Sequence, residues 1–484
     1  MFKTTWQLVA ALQDREVSAA DLVEQSIARI QSRDGEVNAV VVRDFARARE
    51  AAATADEALA RGVRLPLLGV PITVKEAINV AGLPTTWGIP GTQAIEVRED
   101  ALAVQRLKAA GAIVLGKTNV PVQLADWQTC NAIYGVTRNP WNLALTPGGS
   151  SGGSAAALAA GFVSLELGTD IAGSLRVPAH CCGVFAHKPT YDLVPMHGIA
   201  PPGTPLWANR PRVDFAVVGP MARCAQDLSL ALDVLAGPDP VQSLGYRLAL
   251  PPARHKALAD FRVLVLDTQS GAPTSLEVRA ALHRFADQLA RSGCRIASGS
   301  PLLPDLALLA DTFTSLMMSF FSADMPEAEY QGLQRAAAGL APDDRSGAAM
   351  QLRGMVLSHR DWVQADRVRA DLCDQWRRLF RDWDVVLCPV LATPAFAHDH
   401  AAMNERRIRM DGADIPYADQ AFWPMLASFA GLPATALPIG LGESGLPIGV
   451  QAIGPYLEDR TPLAFAALAE REFGGFVAPP AFAS

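Results

Sequence analysis

Lysine is scarce in this chain. Only six occur among 484 residues (Lys3, Lys75, Lys108, Lys117, Lys188 and Lys256), and arginine supplies the rest of the positive charge. With a net charge of −7 and no basic block or aromatic–basic stripe, the chain lacks the electrostatic footprint of a nucleic-acid binder. Cysteine is no richer: there are seven, an odd number without a CxxC pair, which argues against a disulfide framework and for reduced thiols in the cytoplasm. No apolar run reaches the roughly 18–20 uncharged residues that a membrane span requires. The longest candidate, Ala155 to Leu167, is interrupted by Gly161 and Glu166. The start, MFKTTWQLVAALQDRE, has too short an apolar stretch for a signal peptide. HExxH is also missing and the eight histidines are scattered, so no metal site is expected. His180 and His187 flank Cys181–Cys182, which reads more simply as buried cysteines beside hydrogen-bonded histidines.

What the chain does have is half its residues hydrophobic and a strand–helix alternation, the pattern of a layered α/β fold. Ser18 with Asp21 forms an N-cap for a helix to about Ile30, and a second helix runs from Arg43 to Ala60. Residues 67–80 read as a buried strand with irregular ends, 101–110 as a helix, and 112–115 as a short strand between Gly111 and Gly116. Residues 155–160 read as helix and 163–167 as strand. The proline- and glycine-rich stretch 189–220 reads as an ordered surface loop, 224–235 as helix, 261–266 as strand and 276–292 as helix. Residues 301–380 are mostly helical. Strands follow at 384–389, 435–438 and 448–453, and a helix at 464–473 closes the chain.

Chemistry concentrates in the stretch GGSSGGSAAALAAGFVSLELGTDIAGS, residues 148–174, which contains no histidine. Two glycine-embedded serine clusters offer hydroxyls and bare backbone N–H groups, the parts needed to attack a carbonyl and hold an oxyanion. Each cluster alone also reads as a capped turn. The missing base has a candidate in Lys75, within the apolar segment LLGVPITVKEAINVAG. Burial lowers a lysine pKa and yields a neutral amine competent as a base, although a lysine stem can equally cross apolar surface to reach water. Together Lys75, Ser150 and Ser174 make a Ser–Lys arrangement, one of the alternatives to Ser–His–Asp. Ser174 would attack, Ser150 would relay the proton, and the N–H groups of Ile171, Ala172, Gly173 and Ser174 would face the oxyanion.

Two other motifs compete. Residues 111–118 match GxxxxGK[ST], but the intervening residues are themselves a β-prone run and Pro121 follows soon after, which disfavours a phosphate loop. Gly148 to Gly152 match GxSxG, but the preceding WNLALTP is a poor strand, and the available histidines, His398 and His400, lie in a polar loop.

These residues resemble the amidase signature family. The resemblance runs through LGVPITVKEAINVAG, GAIVLGKTNVP, YGVTRNPWN, GGSSGGSAAALAAG, GTDIAGSLRVPAHCCGVFAHKPT, VVGPMAR, AGLPATALPIG and GLPIGVQAIG, nearly the whole chain. It implies an α/β fold with a central mixed twisted sheet covered by helices on both faces. A single domain over residues 1–484 is expected, with the signature core at about 65–225 and a helical, substrate-side segment at about 300–380. It further implies amide hydrolysis by a Ser–cisSer–Lys triad without cofactor or metal, with Lys75 as base, Ser150 as the bridging serine on a cis peptide and Ser174 as nucleophile. The substrates implied are small hydrophobic or aromatic amides and anilides, or related esters and carbamates, as for bacterial amidases and aryl acylamidases. By position, Leu124, Ala125, Gly149 and Trp207 are expected to contact substrate. Phe313, Met317, Met318, Phe320 and Phe321 either wall an acyl pocket or belong to a core helix. Ala172 departs from the family's usual pair of glycines before the nucleophile. Asp170 and Arg176, on either side of Ser174, read as loop-holding groups that either pair with each other or do not. The alternatives on the same fold are a glutamine-dependent amidotransferase subunit or a non-catalytic assembly subunit. VPVQLADWQ, in place of the usual acidic stretch after GKTN, disfavours the first, and the intact lysine and serines disfavour the second. The expected partners are a small-molecule amide and water, with a homodimer compatible and neither nucleic acid nor membrane involved.

Overall fold

The computed structural model describes residues 2–204, 213–269 and 271–483. In chain order its strands are β1 (Val40–Arg43), β2 (Pro71–Lys75), β3 (Ile113–Thr118), β4 (Cys130–Asn131), β5 (Gly135–Val136), β6 (Leu165–Asp170), β7 (Phe185–Lys188), β8 (Val217–Ala222), β9 (Arg262–Val265), β10 (Arg295–Ala297), β11 (Val385–Pro389), β12 (Arg407–Met410), β13 (Ala413–Pro416), β14 (Ala434–Leu441) and β15 (Pro447–Ile453). Eleven of them form one sheet in the order β1-β3-β2-β6-β8-β7-β14-β15-β11-β9-β10. It is mixed: β3, β2 and β6 run parallel, as do β11, β9 and β10, while the strands between them pair antiparallel. Every residue of β2, β3, β6, β8, β11 and β15 is buried. Successive strand residues point to opposite faces, so these strands are covered on both. The fold class is therefore the α/β architecture with a large central mixed sheet flanked by helices.

The helix at Ala19–Val37 begins at its expected cap: the Ser18 hydroxyl accepts from the Asp21 N–H at 3.0 Å. Other boundaries differ for identifiable reasons. Residues 67–80 are buried apart from Asn79, yet only Pro71–Lys75 is strand. The flanking backbone is satisfied otherwise, Leu67 and Gly69 donating to the carbonyls of Ala110 and Gly111, and Ile78 to that of Lys75. The strand expected at 163–167 lies at Leu165–Asp170, pairing with β8 as far as Asp170 against Val217. The stretch 189–220 ends in strand: Pro220 sits inside β8, tolerated because the β7 ladder reaches only Ala222 and Met221 and leaves Pro220 opposite no residue on that side. An eight-residue helix at Phe422–Phe429, wholly buried, has no counterpart in the sequence-based expectations.

Two large apolar clusters fill the interior. One contains most of the sheet and the helix Gly152–Ala159. The other joins Phe313, Leu316, Trp376, Phe422 and Trp423, with Ile171 and Ala172 packed at its margin.

Candidate active site

Lys75 is the last residue of β2 and is fully buried. Its Nζ donates to Ser150 Oγ at 2.7 Å and to Thr169 Oγ1 at 2.8 Å. Burial pushes its pKa down to about 7, while the carboxylates of Asp170 and Glu166 oppose the fall. The ammonium pays full desolvation here, so the neutral amine is accessible near neutrality. Ser150 follows a cis Gly149–Ser150 peptide and is buried. Ser151 then leads into the helix Gly152–Ala159, and its N–H donates to the Ser174 carbonyl at 3.1 Å. The two serine clusters thus meet, with Ser174 half-buried and Ser150 buried.

The loop carrying Ser174 is fixed from inside. The Asp170 carboxylate accepts from Gly173 N–H at 2.8 Å and Leu175 N–H at 3.0 Å, and pairs with Arg176 through Nε at 3.0 Å and Nη2 at 2.9 Å. The two flanking charges therefore do pair. Arg176 also donates to the Pro424 carbonyl, Gln451 Oε1 and Ser428 Oγ, so every guanidinium hydrogen faces an acceptor. The Gly173 N–H, one of the four amides expected to face an oxyanion, instead donates inward to Asp170. The Ala172 carbonyl accepts from Trp127 Nε1 at 3.0 Å, and the irregular alanine thus sits between an indole and the second apolar cluster.

The remaining expected residues are distributed unevenly. The segment with half-buried Leu124 and exposed Ala125 borders the Gly149–Ser150 turn, since a Cβ placed on Gly149 would lie 2.3 Å from the Asp126 carbonyl. Trp207 lies outside the described residues. In the helix Leu306–Phe321, Phe313 is buried in the core, Met317 packs at its edge, Met318 is half-buried, and Phe320 and Phe321 are exposed. The core-helix reading therefore holds for Phe313. Lys117 lies within β3, its Nζ on Thr85 Oγ1 at 2.7 Å, so most of the 111–118 motif, residues 113–118, is strand rather than a phosphate loop. His180 bonds the Gly449 and Thr393 carbonyls and His187 bonds Thr435 and Asp459. His400 lies near Cys130, 3.9 Å away, and His398 stacks on it.

Three contributors escape a reading of the sequence. Thr169, next to Asp170, is the second acceptor for Lys75. The Asp126 carboxylate is clamped by Arg406 and by the Tyr417 hydroxyl, both at 2.6 Å, from a distant part of the chain. Gln128 bonds the Asp399 backbone in both directions, tying residues 126–128 to the same part of the chain. Thr169 could have been found as the residue before Asp170 near the end of the strand beside β2; the Asp126–Arg406 bond spans 280 positions and leaves no local signal.

The family model described as Amidase matches residues 21–463. The chain belongs to the amidase family. An indoleacetamide hydrolase of Bradyrhizobium diazoefficiens is 34% identical over 96% of this chain and 85% of its own. One subunit of the glutamyl-tRNA(Gln) amidotransferase of Deinococcus radiodurans is 33% identical over 97% of both chains. Among solved structures, a bacterial aryl acylamidase of the amidase signature family superposes with a TM-score of 0.79 at 25% identity, covering 98% of this amidase and 96% of that chain. A chain of an inhibitor-bound vestigial protein complex, described as revealing the evolutionary origins of an s-triazine catabolic enzyme, gives 0.81 at 30% identity, covering 98% and 100%. This protein is thus an amide-hydrolysing enzyme of the amidase family, and no described helix is long and apolar enough to cross a membrane.

Proposed function

We propose that this amidase hydrolyses small hydrophobic or aromatic amides through an acyl-enzyme on Ser174. The observation that carries the reading is the 2.7 Å bond from buried Lys75 to Ser150, beside the loop of Ser174. Ser174 Oγ attacks the carbonyl carbon and its proton passes to Ser150, whose own proton passes to neutral Lys75. The amides of Ile171, Ala172 and Ser174 stabilise the oxyanion; one such donor is worth about 2.7–4 kcal/mol. The C–N bond breaks as the proton returns through Ser150 to the leaving nitrogen. Water, activated by the same relay, then releases the acid and regenerates Ser174. The similarity to an indoleacetamide hydrolase supports arylacetamides as the first substrates to try, and the apolar surroundings of Ala172 and Trp127 are consistent with an aryl or acyl group. Residues 300–380 would form the far wall. A cytoplasmic site of action fits the seven free cysteines.

Ser174→Ala should lower kcat/KM on an arylacetamide or anilide by at least about 10³-fold and abolish labelling by a fluorophosphonate. Retained turnover in that variant would sink the assignment. The similarity to an amidotransferase component supports a second reading, in which the site releases ammonia from glutamine for a partner chain. Assaying the purified chain alone separates them: turnover of arylacetamides and anilides without a partner supports hydrolysis, and glutamine turnover only with a partner supports the second.

A further inference from the structure

Glu166 is a buried carboxylate inside the sheet with no role in the reaction described above. The parallel register of β2 and β6 sets Glu166 beside Thr73, and Thr73 shares a strand face with Lys75 two residues on. Glu166 and Lys75 are therefore diagonal neighbours on one face. Thr73, Thr118 and Ser154 surround the carboxylate with hydroxyls. One of its oxygens accepts the Leu167 N–H at 3.0 Å, whereas Oε1 makes no hydrogen bond, and neither does Thr73 Oγ1. A buried carboxylate with an unpartnered oxygen is expensive to keep unless its charge has a use.

We propose that Glu166 is a positioning residue for Lys75: as a carboxylate it holds the proton on the lysine, and as a neutral acid it frees the amine to act as base. The inference rests on the reading of Lys75 as the catalytic base. Burial pushes the Glu166 carboxyl up to about 7, against the pull of the nearby hydroxyls and the Leu167 N–H, just as burial brings Lys75 down to about 7. Two groups this close, titrating over the same range, take up and release protons as a unit. The other charges are accounted for. Asp170 also faces Lys75 but is tied to Arg176, with Lys188 beyond it. Lys117 on β3 answers to Glu76 rather than to Glu166. The helix Gly152–Ala159 and strand β8, packed on the same region, contribute no ionisable side chain.

The test is the pH profile of kcat/KM in Glu166→Gln. Removing the negative charge favours neutral Lys75, so the acidic limb moves to lower pH, and activity near pH 6 relative to its plateau rises about threefold or more over wild type. A residue that merely fills space would change the plateau and leave the limb in place, and an unmoved limb overturns the proposal. Should Glu166→Gln fail to fold, Ser154→Ala serves: losing that hydroxyl keeps Glu166 protonated to higher pH, which moves the limb in the same direction by a smaller amount, and no movement overturns the proposal equally. Lys75→Ala separates this from the underlying reading. If that variant keeps the wild-type limb, Lys75 is not the base; if the limb vanishes with Lys75 but ignores Glu166→Gln, only the coupling fails.

Discussion

Asp170 carries three loads at the scale of a single residue: it pairs with Arg176, it holds the Gly173 and Leu175 amides, and it faces Lys75. Burial opposes its charge, but the Arg176 guanidinium and the Leu175 N–H outweigh burial and hold the carboxyl down at about 2. A depressed carboxyl contributes stability that is fully present above its ordinary value and is lost as pH falls through the folded one. Set against an ordinary 3.8, the contribution is about 2 kcal/mol, disappearing between roughly pH 4 and pH 2. Asp170→Asn removes it and strands a buried guanidinium, so the expected loss near neutrality is about 3–5 kcal/mol. Urea unfolding at pH 7 measures that loss, and acid titration should find the drop between pH 4 and pH 2 flattened in the variant. A loss under about 1 kcal/mol would mean that the pair is not what fixes the loop.

Elements were legible in the sequence in proportion to their periodicity. The helix Ala19–Val37 announced itself by its cap and its amphipathic stripe, and the strands around Val74 and Leu167 by their apolar runs. Lys75, Ser150 and Ser174 stood out because a lysine in an apolar strand and serines among glycines are locally odd. The helix Phe422–Phe429 had no such mark: it is apolar on every side, short, and carries Pro424 in its first turn, where the missing N–H has no helical partner to lose. Only the fold reveals that its Pro424 carbonyl and Ser428 hydroxyl grip Arg176, and that its proline ring lies against Gly173. Gly173 has φ +96°, and a Cβ there would sit 2.7 Å from Pro424 Cβ. Gly173→Ala must therefore either adopt a conformation that costs about 1–2 kcal/mol or push the Ser174 loop off this helix. If Ser174 is the nucleophile as proposed, kcat/KM should fall about 100-fold with a smaller effect on the melting temperature, because its displacement costs more catalysis than fold stability. Activity at the wild-type level would show that loop and helix are not rigidly matched.

The scarcity of lysine has its consequence at the scale of the whole molecule, because three of the six are fully buried in the sheet: Lys75, Lys117 and Lys188. Burial lowers all three, to about 7, 8 and 7 respectively. A lysine with a depressed folded pKa contributes stability that is present above its unfolded value and is lost as pH falls through the folded one. Between about pH 7 and pH 8.5 the unfolded chain therefore binds more protons than the native one, and stability rises with pH. Glu166 and Glu470, pushed by burial up to about 7, act in the opposite direction, but their effect is essentially complete once pH passes that value. The buried thiols Cys181, Cys224 and Cys388, held protonated by burial, oppose the rise only as pH approaches the ordinary thiol value of 9.0. On the proposed mechanism, proton loss from Lys75 would ready the base while it stabilises the native state, so kcat/KM and the urea midpoint should climb together across this window. Lys75→Met should abolish the rise in activity, lowering kcat/KM by about 10²–10⁴-fold at neutrality. It should weaken the rise in the midpoint without removing it, because Lys117 and Lys188 remain. Urea unfolding of both proteins at roughly pH 6.5, 7.5 and 8.5, with the slope m held in view, checks the argument. A wild-type midpoint that stays flat or falls over that range would mean that the native lysines keep their protons and that the fold shields them better than their burial implies.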